Sequence, residues 1–364
     1  MNDGKAALEE ELEDITNVED NQEDDEDESI ASDLYSISSF GVDLDVEALV
    51  KRLNNKTYHV PEFQRQYVWS RTDASKFIES LLLGLPVPGI FLYKEPDTTR
   101  HLVIDGQQRL KSLQKYYSGL FQERKFRLTG IKSKWEGKSY LELDEDDRNR
   151  LDQAVVHATI FKQDTPTENM DSVYEVFERI NTGGMKLSPQ EIRSCVAHGE
   201  LNSLLFQLNK DEIWREMFGR ESSRLKDIEL ILRFFAFYEN LENYKRPMKK
   251  FLTDFMTSNR DASAVERERR LEEWKALMES LKESLGSRPF RPSGRALNAA
   301  FYDSFTVALA KQINAGTKPA AADVLKAYDK LMVNDDFMKA ISSSTADDEN
   351  VRERFKLALA SFGE

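Results

Sequence analysis

From Ser188 almost to the C-terminus, apolar residues recur at helical spacing; before Ser188 the rhythm is mixed. Between Asp43 and Leu187, short apolar runs that read as strands alternate with helical segments. This change limits the architecture to an α+β body over 43–187 followed by an α-helical half over 188–364. In the first part, Val46, Leu49, Val50 and Leu53 share a helical face, and Thr57–Val60 reads as a short strand. Asp73–Leu83 is a second helix, with Phe77, Ile78, Leu81 and Leu82 on one side. Ile90–Tyr93 and His101–Ile104 flank a polar connection and predict a β-hairpin. Gln107–Tyr117 is a helix, Phe126–Leu128 and Ala154–Phe161 read as strands, and Asp171–Ile180 is a helix that stops at Asn181-Thr182-Gly183-Gly184. In the second part, Ser188-Pro189-Gln190-Glu191 has the composition of a helix start. Helices are predicted over Ile228–Tyr238, Ala264–Leu285, Ala296–Gln312, Ala320–Val333 and Val351–Phe362, with a Pro/Gly/Arg linker at Arg288–Arg295.

The net charge of −14 describes one end of the chain. Residues 1–33 hold fifteen acids and a single lysine, so the remaining 331 residues carry equal numbers of acids and bases. A segment so poor in apolar residues cannot offset the entropy of ordering, and 1–42 is read as a disordered acidic tail. It is a solubilising tail, or else a polyanion that occupies a basic pocket. The neutral body leaves a polyanionic ligand open, provided that a local basic site binds it.

The longest apolar stretch, Leu81–Tyr93, is broken by Gly84, Pro86, Pro88 and Gly89 and is too short to span a bilayer. The acidic N-terminus lacks the apolar core of a secretory signal. Cys195 is the single cysteine, which excludes an intrachain disulfide. These features point to a cytoplasmic protein. The histidines, His59, His101, His157 and His198, lie far apart in sequence and none pairs with a cysteine, which argues against zinc. No Walker-type phosphate loop and no G-x-S-x-G turn occurs.

Three segments carry chemistry. In His101-Leu102-Val103-Ile104-Asp105-Gly106-Gln107-Gln108-Arg109-Leu110, a strand enters a glycine turn and a helix opens at once. A helix start presents backbone N–H groups and a positive dipole end to an anion. Gly106 allows close approach of a ligand, Arg109 can grip phosphate through two hydrogen bonds, and Gln107 and Gln108 are neutral donors. Asp105 can hold Mg²⁺ or orient a water. The same pattern also suits an ordinary strand–turn–helix. The second segment, Val60–Trp69, sets Gln64, Arg65, Tyr67 and Trp69 on a loop. Arg65 can reach phosphate and Tyr67 or Trp69 can stack on a base; the aromatics can equally plug the core. The third, Asn181-Thr182-Gly183-Gly184, is a turn able to close over a ligand, or a plain helix stop. A basic stretch from Arg124 to Lys138 reads as a solvated face more readily than as a nucleic-acid contact.

Four ordered blocks resemble the N-terminal domain of GmrSD-type modification-dependent restriction enzymes, a family related to the ParB/sulfiredoxin fold. They are Phe63–Trp69, Phe77–Pro88, Ile104–Leu110, and Phe177–Gly184 with Ser188–Arg193; Lys226–Leu230 and Met248–Leu252 extend the likeness to roughly 45–255. The resemblance implies a ParB/sulfiredoxin-like domain with a small mixed sheet, nucleotide binding with hydrolysis, and a role in prokaryotic defence against phage or foreign DNA. It implies that Asp105, Gln108 and Arg109 form the triphosphate-binding and hydrolysis motif, with Mg²⁺ on Asp105. Gln64, Arg65, Tyr67, Gly106, Gln107, Asn181, Thr182 and Gly183 would line the nucleotide pocket. Many relatives continue into an HNH-type nuclease domain, whereas no histidine follows His198 here. Cutting is therefore expected to be absent from this chain or supplied by a separate nuclease or toxin-like partner; a homodimer is allowed. The alternative reading is a DNA-binding or metal-dependent nuclease module, with the Arg124–Lys138 stretch on the phosphate backbone.

Overall fold

The computed structural model describes residues 18–19, 36–60, 67–96, 98–165, 171–180, 187–286, 289–292, 294, 296–316 and 318–363. The chain divides into two compact units, one over 31–187 and the other over 188–364 together with the described residues 18–19. The elements in chain order are β1 (Val18–Glu19), β2 (Ser36–Asp45), α1 (Val46–Asn54), β3 (Tyr58–His59), α2 (Arg71–Leu82), β4 (Ile90–Lys94), β5 (His101–Asp105) and α3 (Gln107–Ser118). They continue with β6 (Leu120–Phe121), β7 (Arg124–Lys125), α4 (Glu145–Asp152), β8 (Val155–Thr165) and α5 (Asp171–Ile180).

The first unit is built on a five-stranded mixed sheet of order β2-β8-β4-β5-β3. β4 and β5 form the expected antiparallel hairpin, with Phe91 opposite Asp105 and Tyr93 opposite Leu102. β8 runs parallel to β4 and antiparallel to β2. The sheet contributes Ile90, Leu92, Val103, Val156, Ala158 and Ile160 to one core. α1 contributes Val46, Leu49, Val50 and Leu53, α2 Phe77, Ile78, Leu81 and Leu82, and α3 Leu110, Leu113 and Tyr116. Each large apolar side chain so buried stabilises the unit by about 1.5–3 kcal/mol. Caps fix the helix starts: Asp45 accepts from the Ala48 N–H at 2.6 Å, and Ser70 and Asp73 form a reciprocal capping box.

Two readings of the sequence change here. The segment assigned to the tail extends too far, because β2 starts at Ser36 and runs to Asp45, and α1 starts only at Val46. β2 is held by its backbone ladder to β8 while most of its side chains are exposed, so no apolar alternation betrays it. The tail assignment for 1–17 and 20–35 lies outside the described residues. Phe126–Leu128 is irregular; the short strand is Arg124–Lys125, and Phe126 and Leu128 are core residues of a loop.

The second unit is helical over its described residues: α6 (Pro189–Val196), α7 (Glu200–Leu208), α8 (Glu212–Phe218), α9 (Lys226–Asn240), α10 (Met248–Ser258) and α11 (Ala264–Leu285). β9 (Leu297–Asn298) pairs with β1, followed by α12 (Ala299–Asn314), α13 (Ala321–Met332), α14 (Asp335–Ala340) and α15 (Asp348–Ser361). Phe234, Phe235, Phe237, Trp274, Phe301, Phe305 and Phe355 are among the residues of its core. Within that core Arg233 donates to both oxygens of Asp303, at 2.6–3.1 Å. Ser188 and Glu191 form the capping box of α6. Among the described residues, no helix is long and apolar enough to cross a membrane.

Candidate functional site

The Asp105–Arg109 motif lies where its sequence places it, at the junction of β5 and α3. Gly106 is the N-cap of α3 at φ 95°, and no side chain caps that helix. Its absence of a side chain has a structural cause. A Cβ there would stand 2.4 Å from Ile90 Cγ2 on the neighbouring strand, and the positive φ would strain any L-residue. The close approach inferred for a ligand is therefore occupied by β4.

The sequence assigns Arg109 and Asp105 separate duties, and the structure pairs them. Arg109 Nη2 donates to Asp105 Oδ2 at 2.6 Å, and Nη1 donates to the Gly89 carbonyl at 2.8 Å. The Arg109 side chain is 13% exposed and that of Asp105 is 40% exposed. The guanidinium is thus mostly buried, held by a backbone carbonyl and by one carboxylate that water reaches. Gln108 acts as an acceptor: its Oε1 takes the backbone N–H groups of Val68 and Trp69, at 3.0 and 3.2 Å. It ties the last two residues of the second candidate segment to the first turn of α3. Gln107 is buried.

Tyr67 packs inward. Its hydroxyl lies 2.7 Å from Ser112 Oγ, its ring meets Phe121 edge-on, and the Lys115 ammonium sits 4.9 Å from the ring centre. Burial raises the pKa of the phenol, against the opposing effect of the Ser112 hydrogen bond. Trp69 packs edge-on to Phe77. Both aromatics therefore serve the core, as one of the two readings had it. Gln64, Arg65, Asn181, Thr182 and Gly183 lie outside the described residues.

Three cations of the basic stretch pair with nearby acids. Arg127 pairs with Glu142, which also lies 3.7 Å from Lys125, and Lys134 reaches Asp147 at 2.7 Å. No cluster of three potential metal ligands occurs among the described residues, so a metal here would rely on Asp105 and on ligand oxygens.

Sequence reasoning missed a second pair of polar side chains at the same end of the sheet. His157 on β8 faces Asp43 on β2, with Nδ1 2.8 Å from Oδ1, and both side chains are well exposed, at 58% and 69%. The partners are 114 residues apart, and nothing local in the sequence links them.

Residues 46–197 match the family model of the GmrSD restriction endonuclease N-terminal domain. This stretch is similar to the N-terminal domain of a restriction endonuclease family. The match starts at α1, takes in the four resembling blocks and ends just past α6, so Lys226–Leu230 and Met248–Leu252 lie beyond it. No curated protein matches the chain.

Proposed function

We propose that the first unit binds a nucleoside triphosphate at the β5–α3 junction and serves as the regulatory, nucleotide-hydrolysing component of a prokaryotic restriction-type defence system. The observation that carries this reading is the Asp105–Arg109 pair at the mouth of a helix without a side-chain cap. A partly exposed carboxylate is a weak hold on a guanidinium. A triphosphate offers oxygens for bidentate pairing with more charge than the single Asp105 oxygen that Arg109 now meets, and the helix dipole favours it further. Arg109 would exchange Asp105 for phosphate oxygens, and Asp105 would then be the residue able to hold a Mg²⁺. The metal supplies charge neutralisation during phosphoryl transfer. Because Gln108 holds the backbone of Val68 and Trp69, a ligand at this mouth also bears on the segment that carries Gln64 and Arg65. A separate nuclease or toxin-like partner would do the cutting. The local pairing of Arg127, Lys125 and Lys134 with acids gives the DNA-binding alternative no support.

Calorimetry of the full chain with each nucleoside triphosphate and Mg²⁺ tests the reading. Arg109→Ala should weaken binding by about 10- to 100-fold, the loss of charge-assisted hydrogen bonds, while the far-UV spectrum is retained. Equal affinity in mutant and wild type sinks it.

A further inference from the structure

The sheet of the first unit ends on two unlike strands. At one edge β3 consists of Tyr58 and His59 alone, paired with β5. At the other edge β2 runs ten residues, from Ser36 to Asp45. It bonds to β8 along one side, and among the described residues no strand lies on its other side. That side presents a row of outward backbone N–H and C=O groups. Soluble proteins blunt such an edge with lysine, proline or a very short strand. Ser36-Ile37-Ser38-Ser39-Phe40-Gly41-Val42 has no charge and no proline. Phe40 is 52% exposed, although it stands opposite the core residue Ile160 of β8. Its ring therefore lies at the rim of the helix-bearing face of the sheet.

The strand is also its own complement. In an antiparallel ladder only every second residue directs its N–H and C=O to a given side. A two-fold axis relating two copies of β2 must then pass through a residue. With the axis at Phe40, Ser36–Leu44 of one copy lies along Leu44–Ser36 of the other. The two Phe40 rings meet on one face, Ser38 faces Val42, and Asp43 faces Ile37, so no acid opposes an acid. Moving the axis to Gly41 would set Ser36 of the second copy against Val46, where α1 has begun. A parallel pairing in register would set Asp43 beside Asp43 and Asp45 beside Asp45.

We infer that the protein forms a two-fold dimer in which the β2 strands of two copies pair antiparallel about Phe40. The two five-stranded sheets become one continuous sheet, with the helices of both copies on the same side. Growth stops at two, because the two-residue β3 at each far edge is too short to recruit another strand. The inference is independent of the nucleotide reading.

Sedimentation equilibrium of the full-length chain tests it. The wild type should be a dimer at micromolar concentration. Phe40→Lys and Phe40→Asp should each weaken self-association by at least about 10-fold, since like charges then meet at the axis in place of two rings. Because Phe40 is half exposed, both variants should melt as the wild type does. Mixing them in equal amounts should restore the dimer, because only a register that sets residue 40 against its own copy brings their opposite charges together. Phe40→Cys should cross-link two chains in air, whereas the wild type should not, its one cysteine, Cys195, being buried. Wild-type protein that stays monomeric at its highest soluble concentration overturns the inference. So does a dimer that survives both charges unchanged, or a mixture of the two variants that remains monomeric.

Discussion

The two units hold arginine in opposite ways. In the helical unit Arg233 meets Asp303 with the two side chains 1% and 0% exposed, and Arg354 stands 3.9 Å from the same carboxylate. In the sheet-bearing unit Arg109 leans on an Asp105 that is 40% open to water. The pairing chemistry is the same and the surroundings differ. Removing a buried partner strands a charge that water cannot reach, so such a pair is locked. Removing a half-exposed partner lets solvent take its place, so such a pair can be exchanged. The contrast separates an arginine committed to the fold from one poised to take another anion.

The largest effect should come from Asp303→Ala. It leaves Arg233 and Arg354 buried against an uncompensated charge and should cost about 3–5 kcal/mol in urea unfolding. A loss as small as that of an exposed pair would break the comparison. Gly106→Ala comes next. Strain at φ 95° and a contact of 2.4 Å with Ile90 should together cost about 2–4 kcal/mol, read as a lowered midpoint for the first unit. Asp105→Ala should change stability by less than about 1 kcal/mol, since water can replace the carboxylate beside Arg109. A cost like that of Asp303→Ala would mean that Arg109 is locked too.

The smallest effect should be an acid titration at Glu142. The Ser139 backbone N–H, the Ser139 hydroxyl and Arg127 hold its carboxyl down at about 2. A carboxyl lowered on folding lends stability that is complete above its ordinary value of 4.5 and is lost as pH falls through about 2. In Glu142→Gln, local hydrogen exchange around 139–142 should lose its pH dependence in that window.

What the sequence disclosed follows from the range of each interaction. The helices over Val46–Asn54, Arg71–Leu82, Gln107–Ser118 and Ala264–Leu285 show in the apolar spacing or, for the last, in its charged amphipathic pattern, because each is decided locally. The hairpin of β4 and β5 shows for the same reason. The segment Glu145–Asp152 escaped because it is almost wholly charged and presents only Asp147 and Leu151 to the interior. At the candidate site, the spacing of four between Asp105 and Arg109 already allowed an ion pair across one helical turn, a signal that was present and unused. No comparable signal existed for Asp43 and His157. Their meeting depends on β2 lying antiparallel to β8 in one register, which is a property of the assembled sheet.

The outermost strand bears on how this protein can be shortened. An acid count alone invites a cut after Val42, yet seven of the ten residues of Ser36–Asp45 would go with it. The Ala158–Thr165 backbone of β8 would lose the ladder that covers it and become a raw edge open to any passing chain. Protein trimmed at Val42 should clump on concentration, whereas protein trimmed before Ser36 should stay dispersed, a difference that light scattering reads directly.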